Sequence, residues 1–129
     1  MSAEVAALGW AALLAFVQLV LYAVPANREL GVGYTMGPRD EERGPTGIGG
    51  RLRRAYFNHI EGLVLFAVAV LTLEMGDANS GATAMAAWIY LAARVAYVPA
   101  YAAGIPVLRS AIWAAGAGAT VFILMSALL

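Results

Sequence analysis

Residues 53–62, RRAYFNHIEG, place a cluster of polar side chains directly before an apolar run. On a helix, Arg54, Asn58 and Glu61 fall at i, i+4 and i+7 and therefore share one face. With a rise of ~1.5 Å per residue, Glu61 lies about 10 Å beyond Arg54 along the helix axis. This face carries charged and hydrogen-bonding groups deep into an otherwise apolar segment, where they can hold a polar ligand.

A second polar face lies in residues 82–104, where Arg94, Tyr97 and Tyr101 fall at i, i+3 and i+7. Arg94 lies about 15 Å from Gly104 at the same rise. A charge near the middle of a bilayer costs at least ~2.5–3.5 kcal/mol, and such residues usually face a bundle interior and mark a functional site. Arg94 and Glu61 are candidates for a buried ion pair, which marks either such a site or a device that only fixes helix register.

Further cations and hydroxyl groups border these two faces. A cationic, hydrogen-bonding rim is formed by Arg53, Arg54 and Arg109, together with Asn58, Ser110 and the two tyrosines. This rim suits an anionic, polar ligand whose tail reaches inward. Four other arginines are interpreted instead as anchors at the lipid headgroups: Arg28, Arg39, Arg43 and Arg51.

Two polar residues have less specific interpretations. His59 is the only histidine, so a packing or interface position is favoured over metal ligation, and we predict no metal site. Gln18 either hydrogen-bonds between helices or lines the site.

The elements that must position these residues are membrane helices. The chain has 129 residues, of which 62% are hydrophobic and 12% charged, whereas soluble domains are about a quarter charged. A helix needs roughly 20 apolar residues to span a bilayer, and four segments qualify: about 5–24, 53–75, 82–104 and 107–128. We therefore predict one all-α domain, 1–129, built as a four-transmembrane-helix bundle with a polar loop at 25–50.

The composition also excludes several classes of function. The chain contains no cysteine, so disulfides, thiolate metal sites and a cysteine nucleophile are excluded. Its formal net charge is zero, and nothing in that balance suggests nucleic acid as a partner. The first apolar segment carries Glu4 in place of a positive n-region, so it is interpreted as a retained membrane helix rather than a signal peptide.

The arginines predict the orientation. Seven of them lie in or beside the 25–50 loop or at the turn between the last two helices, whereas the other side carries only the acidic residues Glu4, Glu74 and Asp77. The positive-inside rule places the long loop in the cytoplasm and both termini outside. Small residues such as those of AAGAGA, residues 114–119, favour close helix packing and self-association in lipid.

Two motifs give the chain a family resemblance. RRAYFNHIEGLVLF, residues 53–66, contains R-A-x-x-N-x-x-E, and ARVAYVPAYAAGIPVLRS, residues 93–110, contains R-x-x-Y-x-x-x-Y followed by R-S. Both patterns, in this order, resemble those of the MAPEG family, the membrane-associated proteins in eicosanoid and glutathione metabolism. The chain is most similar to bacterial-type members, which implies a bacterial inner membrane.

The resemblance implies a homotrimer that binds glutathione between neighbouring subunits at the cytoplasmic end. Glutathione-binding roles are implied for five residues: Arg54, Asn58, Glu61, Arg94 and Tyr97. Catalytic roles near the sulfur are implied for Arg109, Ser110 and Tyr101. A nearby cation or donor would lower the pKa of the thiol and so activate it.

The expected function is a glutathione-dependent membrane transferase or peroxidase of broad detoxification type. Its second substrate would be a lipophilic electrophile or hydroperoxide that arrives through the lipid bilayer. One alternative is a non-catalytic membrane subunit that binds a larger membrane complex. A second alternative is a lipid-binding or permeation protein that uses the same buried charges for an anionic headgroup or a proton.

Overall fold

Four long helices form the whole framework of the protein. The computed structural model describes all 129 residues and contains α1 (Ala3–Leu30), α2 (Val32–Met36), α3 (Gly47–Met75), α4 (Gly81–Ala102) and α5 (Pro106–Leu128). All except the short α2 are long and apolar enough to cross a membrane. The chain is therefore an integral membrane protein, and the predicted all-α bundle of four spans is confirmed.

The long helices alternate in direction, so the bundle has two distinct ends. At the loop end, which contains residues 31–46, the Arg51 side chain of α3 donates to the Ala102 carbonyl at the end of α4, with Nη1 to O at 3.2 Å. At the terminal end, Ser2 at the start of α1 bonds to Glu74 near the end of α3. The site residues predicted from the sequence belong to the loop end.

The first helix is longer than predicted, because it continues through Pro25 to Leu30 instead of ending near residue 24. A proline inside a helix removes one backbone donor but need not end the helix where its ring is packed. Pro25 packs on α3, since a Cβ added at Gly49 would lie 3.2 Å from the Pro25 Cβ. The helix ends at Gly31, whose φ of 84° suits glycine.

The third helix also begins earlier than predicted, at Gly47 instead of near residue 53. Its glycines pack closely: a Cβ at Gly50 would lie 2.7 Å from the Pro45 carbonyl oxygen. Glu29 fixes the entry to the helix, because its carboxylate accepts from the Thr46 N–H at 2.8 Å and from the Thr46 hydroxyl at 2.6 Å. The predicted loop 25–50 therefore shortens to residues 31–46, which include α2.

The apolar core lies towards the terminal end of the bundle. Phe66 of α3 and Tyr90 of α4 stack with ring centroids 3.8 Å apart and planes within 10°. Small residues of α1, α4 and α5 complete this core and allow the helices to approach closely: Ala7, Ala11, Ala86, Ala87 and Ala119.

A polar network joins three helices at the terminal end. Glu4 is buried, and its carboxylate accepts from the Thr83 hydroxyl at 2.5 Å. Thr83 also closes a capping box with Ser80 at the start of α4. Together with the bond from Ser2 to Glu74, this network fixes the starts of α1 and α4 against the end of α3.

The packing of α5 on α4 predicts that leucine substitutions at two glycines will differ in their effect on stability. A Cβ at Gly116 would lie 3.7 Å from the Ala93 Cβ and 3.8 Å from the Arg94 Cδ, whereas a Cβ at Gly118 meets nothing within 4 Å. We expect Gly116→Leu to destabilise the protein by about 1–3 kcal/mol through overpacking and Gly118→Leu to leave the melting temperature in detergent essentially unchanged. Equal melting temperatures for the two variants would contradict this helix register.

Candidate functional site

One pocket at the loop end brings together most of the predicted site residues. It has a volume of about 440 Å³ and lies between α3, α4 and α5. Seven of the eight predicted residues line it: Arg54, Asn58, Glu61, Tyr97, Tyr101, Arg109 and Ser110. The eighth, Arg94, lies directly behind the pocket wall.

Tyr101 is located between the two cations of the pocket. The guanidinium carbon of Arg109 lies 4.7 Å from the Tyr101 ring centroid, and that of Arg54 lies 5.9 Å from it. Arg54 Nε donates to the Tyr101 hydroxyl oxygen at 3.2 Å. Since a phenol can accept and donate at once, the Tyr101 proton remains free to bond a ligand.

Arg94 positions the wall of the pocket from behind. It is buried, and its guanidinium carbon lies 4.4 Å from the Tyr97 ring centroid. Its Nη1 donates to the Asn58 amide oxygen at 3.0 Å. Both Asn58 and Tyr97 line the pocket, so Arg94 fixes the orientation of two side chains that a ligand can touch.

The expected ion pair between Arg94 and Glu61 does not form. Arg94 Nε instead donates to His59 Nδ1 at 3.2 Å, and His59 Nε2 lies 2.8 Å from the Ala11 carbonyl oxygen of α1. Arg94 reaches α3 at Asn58 and His59, whereas Glu61 lines the pocket with an exposed side chain. One neutral tautomer of His59 satisfies both bonds, with Nδ1 as acceptor and Nε2 as donor.

Unlike Arg94, Glu61 has no hydrogen-bond or ion-pair partner within the chain. The sole ion pair of the protein joins Arg43 and Glu41, at 3.6 Å, in the exposed loop. Glu61 is exposed on the side of the bundle, although it lies within a membrane-spanning helix. Carboxylates in such segments almost always face a protein interior or a water-filled cavity.

Three residues of the site were not predicted from the sequence. Phe57 and Trp113 line the pocket, and helical spacing could have identified them, at i+3 from Arg54 and i+4 from Arg109. His59 was assigned to packing or an interface. It is fully buried and connects α1 to Arg94. No local pattern marks that role, which depends on the tertiary approach of α1.

The remaining polar residues of the sequence analysis lie outside the pocket. Gln18 is buried in α1, and neither its amide nitrogen nor its amide oxygen has a partner. Arg51 bonds to the end of α4, which agrees with the stabilising effect of cations at helix C-termini. Arg39 and Arg43 lie in the 31–46 loop, away from the glutamate and tyrosines of the site.

The bond between His59 and Arg94 predicts a non-additive pair of substitutions. Removing His59 leaves one donor of a buried guanidinium without a partner, at a cost of about 1–3 kcal/mol. We expect His59→Leu and Arg94→Leu each to lower the melting temperature in detergent. The double variant should be less destabilised than the sum, with a coupling of about 0.5–3 kcal/mol.

A matched control for this pair uses Arg51, which is bonded elsewhere. The effects of Arg51→Leu and His59→Leu should add, because the two side chains share no partner. Additive effects for His59→Leu and Arg94→Leu would show that the bond contributes nothing to stability.

Comparison with known proteins assigns the chain to a family. No curated protein matches the chain significantly. The family model described as "MAPEG family" matches residues 7–129, a range that includes three spans, all but the first four residues of α1, and every residue of the pocket. MAPEG proteins form a family of glutathione-linked membrane enzymes. By this match over nearly its whole length, the chain belongs to the MAPEG family.

Proposed function

We propose that the pocket binds glutathione and activates its thiol, so that the protein acts as a membrane-bound glutathione transferase or peroxidase. The observation that carries this proposal is the presence of both signs of charge in one pocket. Two guanidinium groups and one carboxylate line it, and none of the three forms an ion pair. Glutathione carries two carboxylates and one ammonium, so its charges are complementary to this set.

The charges assign an orientation to the tripeptide. Arg54, with its Nε bonded to Tyr101, retains further guanidinium donors for a glutathione carboxylate. Glu61 accepts from the ammonium group, and Asn58 bonds to the peptide backbone. Arg94 acts as a positioning residue, because it holds Asn58 and contacts the ring of Tyr97.

Three residues near the opening are assigned to the thiol. Arg109 favours the thiolate by its charge, because a cation within about 4–6 Å lowers the pKa of an acidic group. Tyr101 has a free hydroxyl proton, and Ser110 adjoins Arg109, so either hydroxyl group can donate a hydrogen bond to the sulfur. Glutathione itself supplies the nucleophile. Its thiolate sulfur forms a bond to an electrophilic carbon, which releases its leaving group or, in an addition, takes up a proton at the neighbouring atom. With a hydroperoxide, the thiolate attacks the terminal oxygen, the O–O bond breaks to release an alcohol, and a second glutathione converts the resulting sulfenic acid to the disulfide and water.

The second substrate is proposed to be lipophilic. Phe57 and Trp113 line the same pocket as the charged residues and are 43% and 49% exposed. They therefore provide an apolar surface beside the thiol, on helices that cross the membrane. A molecule dissolved in the bilayer can reach this surface without passing through water.

Self-association, expected as a homotrimer from the family, would complete the site. Arg54, Glu61 and Ser110 are exposed at the side of the single chain, and charges in a membrane-spanning segment usually face a protein interior or a water-filled cavity. A neighbouring copy covering the pocket would enclose them. In the orientation expected from the arginines, the pocket opens towards the cytoplasm.

The assembly is tested by the mass of the purified protein. We expect light scattering in detergent to give three times the 13.5 kDa chain mass, after subtraction of the bound detergent. Cross-linking in native membranes should stop at the same number of copies. A monomer that still binds glutathione would contradict the need for a neighbouring copy.

The thiol activation is tested by ultraviolet thiolate absorbance during a glutathione titration. We expect a saturable signal, and Arg109→Gln should raise the pH of half-ionisation of the bound thiol by about one to three pH units. Glu61→Gln should weaken glutathione binding about tenfold or more, because hydrogen bonds to charged groups contribute about 1.5–3 kcal/mol. Arg39→Gln is the matched control, since Arg39 bonds only to the Thr35 carbonyl.

Two results would overturn the proposal. A folded oligomer that binds no glutathione would favour a non-catalytic subunit of a larger membrane complex, which co-purification tests. Thiolate formation that is equal in the parent protein and in Arg109→Gln would remove Arg109 from the chemistry, while leaving glutathione binding intact.

A further inference from the structure

A second pocket at the loop end lies on the other side of Phe57 and is basic. It has a volume of about 370 Å³ between the end of α1, α2 and the start of α3. Three arginines line it, Arg39, Arg43 and Arg53, and no acidic residue does. None of the three lines the glutathione pocket, so a ligand held by these arginines would bind independently of glutathione.

Two of these arginines face a common depression. Arg43 and Arg53, together with Glu42 and Gly44, line a small adjoining hollow at the surface. Arg53 forms no ion pair, and its guanidinium carbon lies 4.8 Å from the Phe57 ring centroid. Its hydrogen-bond donors therefore remain available to an anion.

The loop that carries Arg43 is held in place by α2. The Tyr34 hydroxyl group donates to the Glu41 carbonyl at 2.7 Å and accepts from the Arg43 N–H at 2.7 Å. The Arg43 guanidinium carbon lies 4.7 Å from the Tyr34 ring centroid, and Glu41 lies at the long ion-pair distance of 3.6 Å. Tyr34 thus gives Arg43 a defined position, and because only Nη2 lies at ion-pair distance from Glu41, the other guanidinium donors of Arg43 remain available.

The basic pocket adjoins an apolar groove that runs between α1 and α3. Its α1 wall includes Leu19, Tyr22 and Ala23. Leu19 also lines a separate cavity of about 230 Å³ between α1 and α3, in which every lining residue is hydrophobic. This cavity extends the groove along Ala12, Phe16, Ile60 and Leu63. One side of the bundle therefore presents a cationic mouth next to an apolar cavity, with Leu19 in the wall of both.

We propose that this groove, formed by α1, α2 and α3, binds an anionic phospholipid. The phosphate lies on Arg43 and Arg53, and one acyl chain lies along the apolar groove between α1 and α3. Basic pockets between membrane helices are a general means of recognising anionic headgroups, and each nearby arginine contributes about 1 kcal/mol to that attraction. The apolar channel makes a lipid, rather than a soluble phosphate, the ligand that fills the whole groove.

Native mass spectrometry of the purified oligomer with added lipid tests whether the arginines recognise the lipid headgroup. The probes are dioleoyl phosphatidylglycerol and dioleoyl phosphatidylcholine, which share their acyl chains and differ in net charge. We expect the anionic lipid to bind preferentially, and the Arg43→Gln/Arg53→Gln double variant to bind it about 30-fold more weakly, on the order of 5-fold for each arginine. Arg28→Gln is the matched control, because Arg28 is an exposed arginine at the same end that lines neither cavity.

Substitutions at two adjacent residues test whether an acyl chain lies in the apolar groove. Ala12 lines the groove, whereas Leu13 is 51% exposed and lies outside it. Ala12→Trp should fill the channel and reduce binding of the lipid, and Leu13→Trp should not. Glycerol 3-phosphate, which has the headgroup chemistry but no acyl chain, should compete poorly.

Several outcomes would overturn the proposal. Equal binding of the two lipids, or equal loss in Arg28→Gln and the double variant, would show that the arginines do not form a headgroup site. Full competition by glycerol 3-phosphate would reduce the groove to an anion site. A cross-link between Ala12→Cys and a neighbouring chain, with no lipid retained, would assign the groove to a second copy of the protein. Glutathione titration of the double variant, expected to be normal, separates these results from failure of the glutathione site.

Discussion

The buried guanidinium of Arg94 is the constraint that organises the loop end of the bundle. A charge inside a membrane-spanning helix has few partners, and desolvation makes each of them necessary. Arg94 takes its partners from α3, through Asn58 and His59, and His59 in turn reaches the Ala11 carbonyl of α1. This chain of bonds connects three helices and sets the orientation of the residues on the pocket wall.

The two ends of the bundle solve the problem of buried polar groups in different ways. At the terminal end, Glu4, Thr83 and Ser80 form a closed network in which the buried hydroxyl and carboxylate groups satisfy one another. At the loop end, Glu61 has no partner and Arg94 Nη2 is buried without one. A carboxylate in a membrane-spanning helix is costly without a partner, and the proposed ligand would supply the partner that Glu61 lacks.

Helical spacing in the sequence was sufficient to predict which residues share the pocket face. It was not sufficient to predict the hydrogen bonds of Arg94 behind that face. Arg54, Asn58 and Glu61 share a face because 3.6 residues form a turn, and the same rule groups Tyr97 with Tyr101. The partner of Arg94 depended instead on which way its long side chain turns, and that direction depends on the packing of α1 on α3. The ends of α1 and α3 were missed for a related reason: Pro25 packs against Gly49, and Gly50 lies against the Pro45 carbonyl, and composition alone does not reveal these contacts.

The exposure of Glu61 bears on the proposed self-association. A single chain places this carboxylate and the Arg54 guanidinium at its side, within spans that lie in lipid. Neither group can remain in hydrocarbon without a partner, and the two lie on one pocket without forming an ion pair. Bringing a second copy over the pocket would remove the charges from lipid while leaving their hydrogen-bonding capacity to a polar ligand. Association would shield the two groups from lipid and the ligand would pair with them, so each event is expected to strengthen the other.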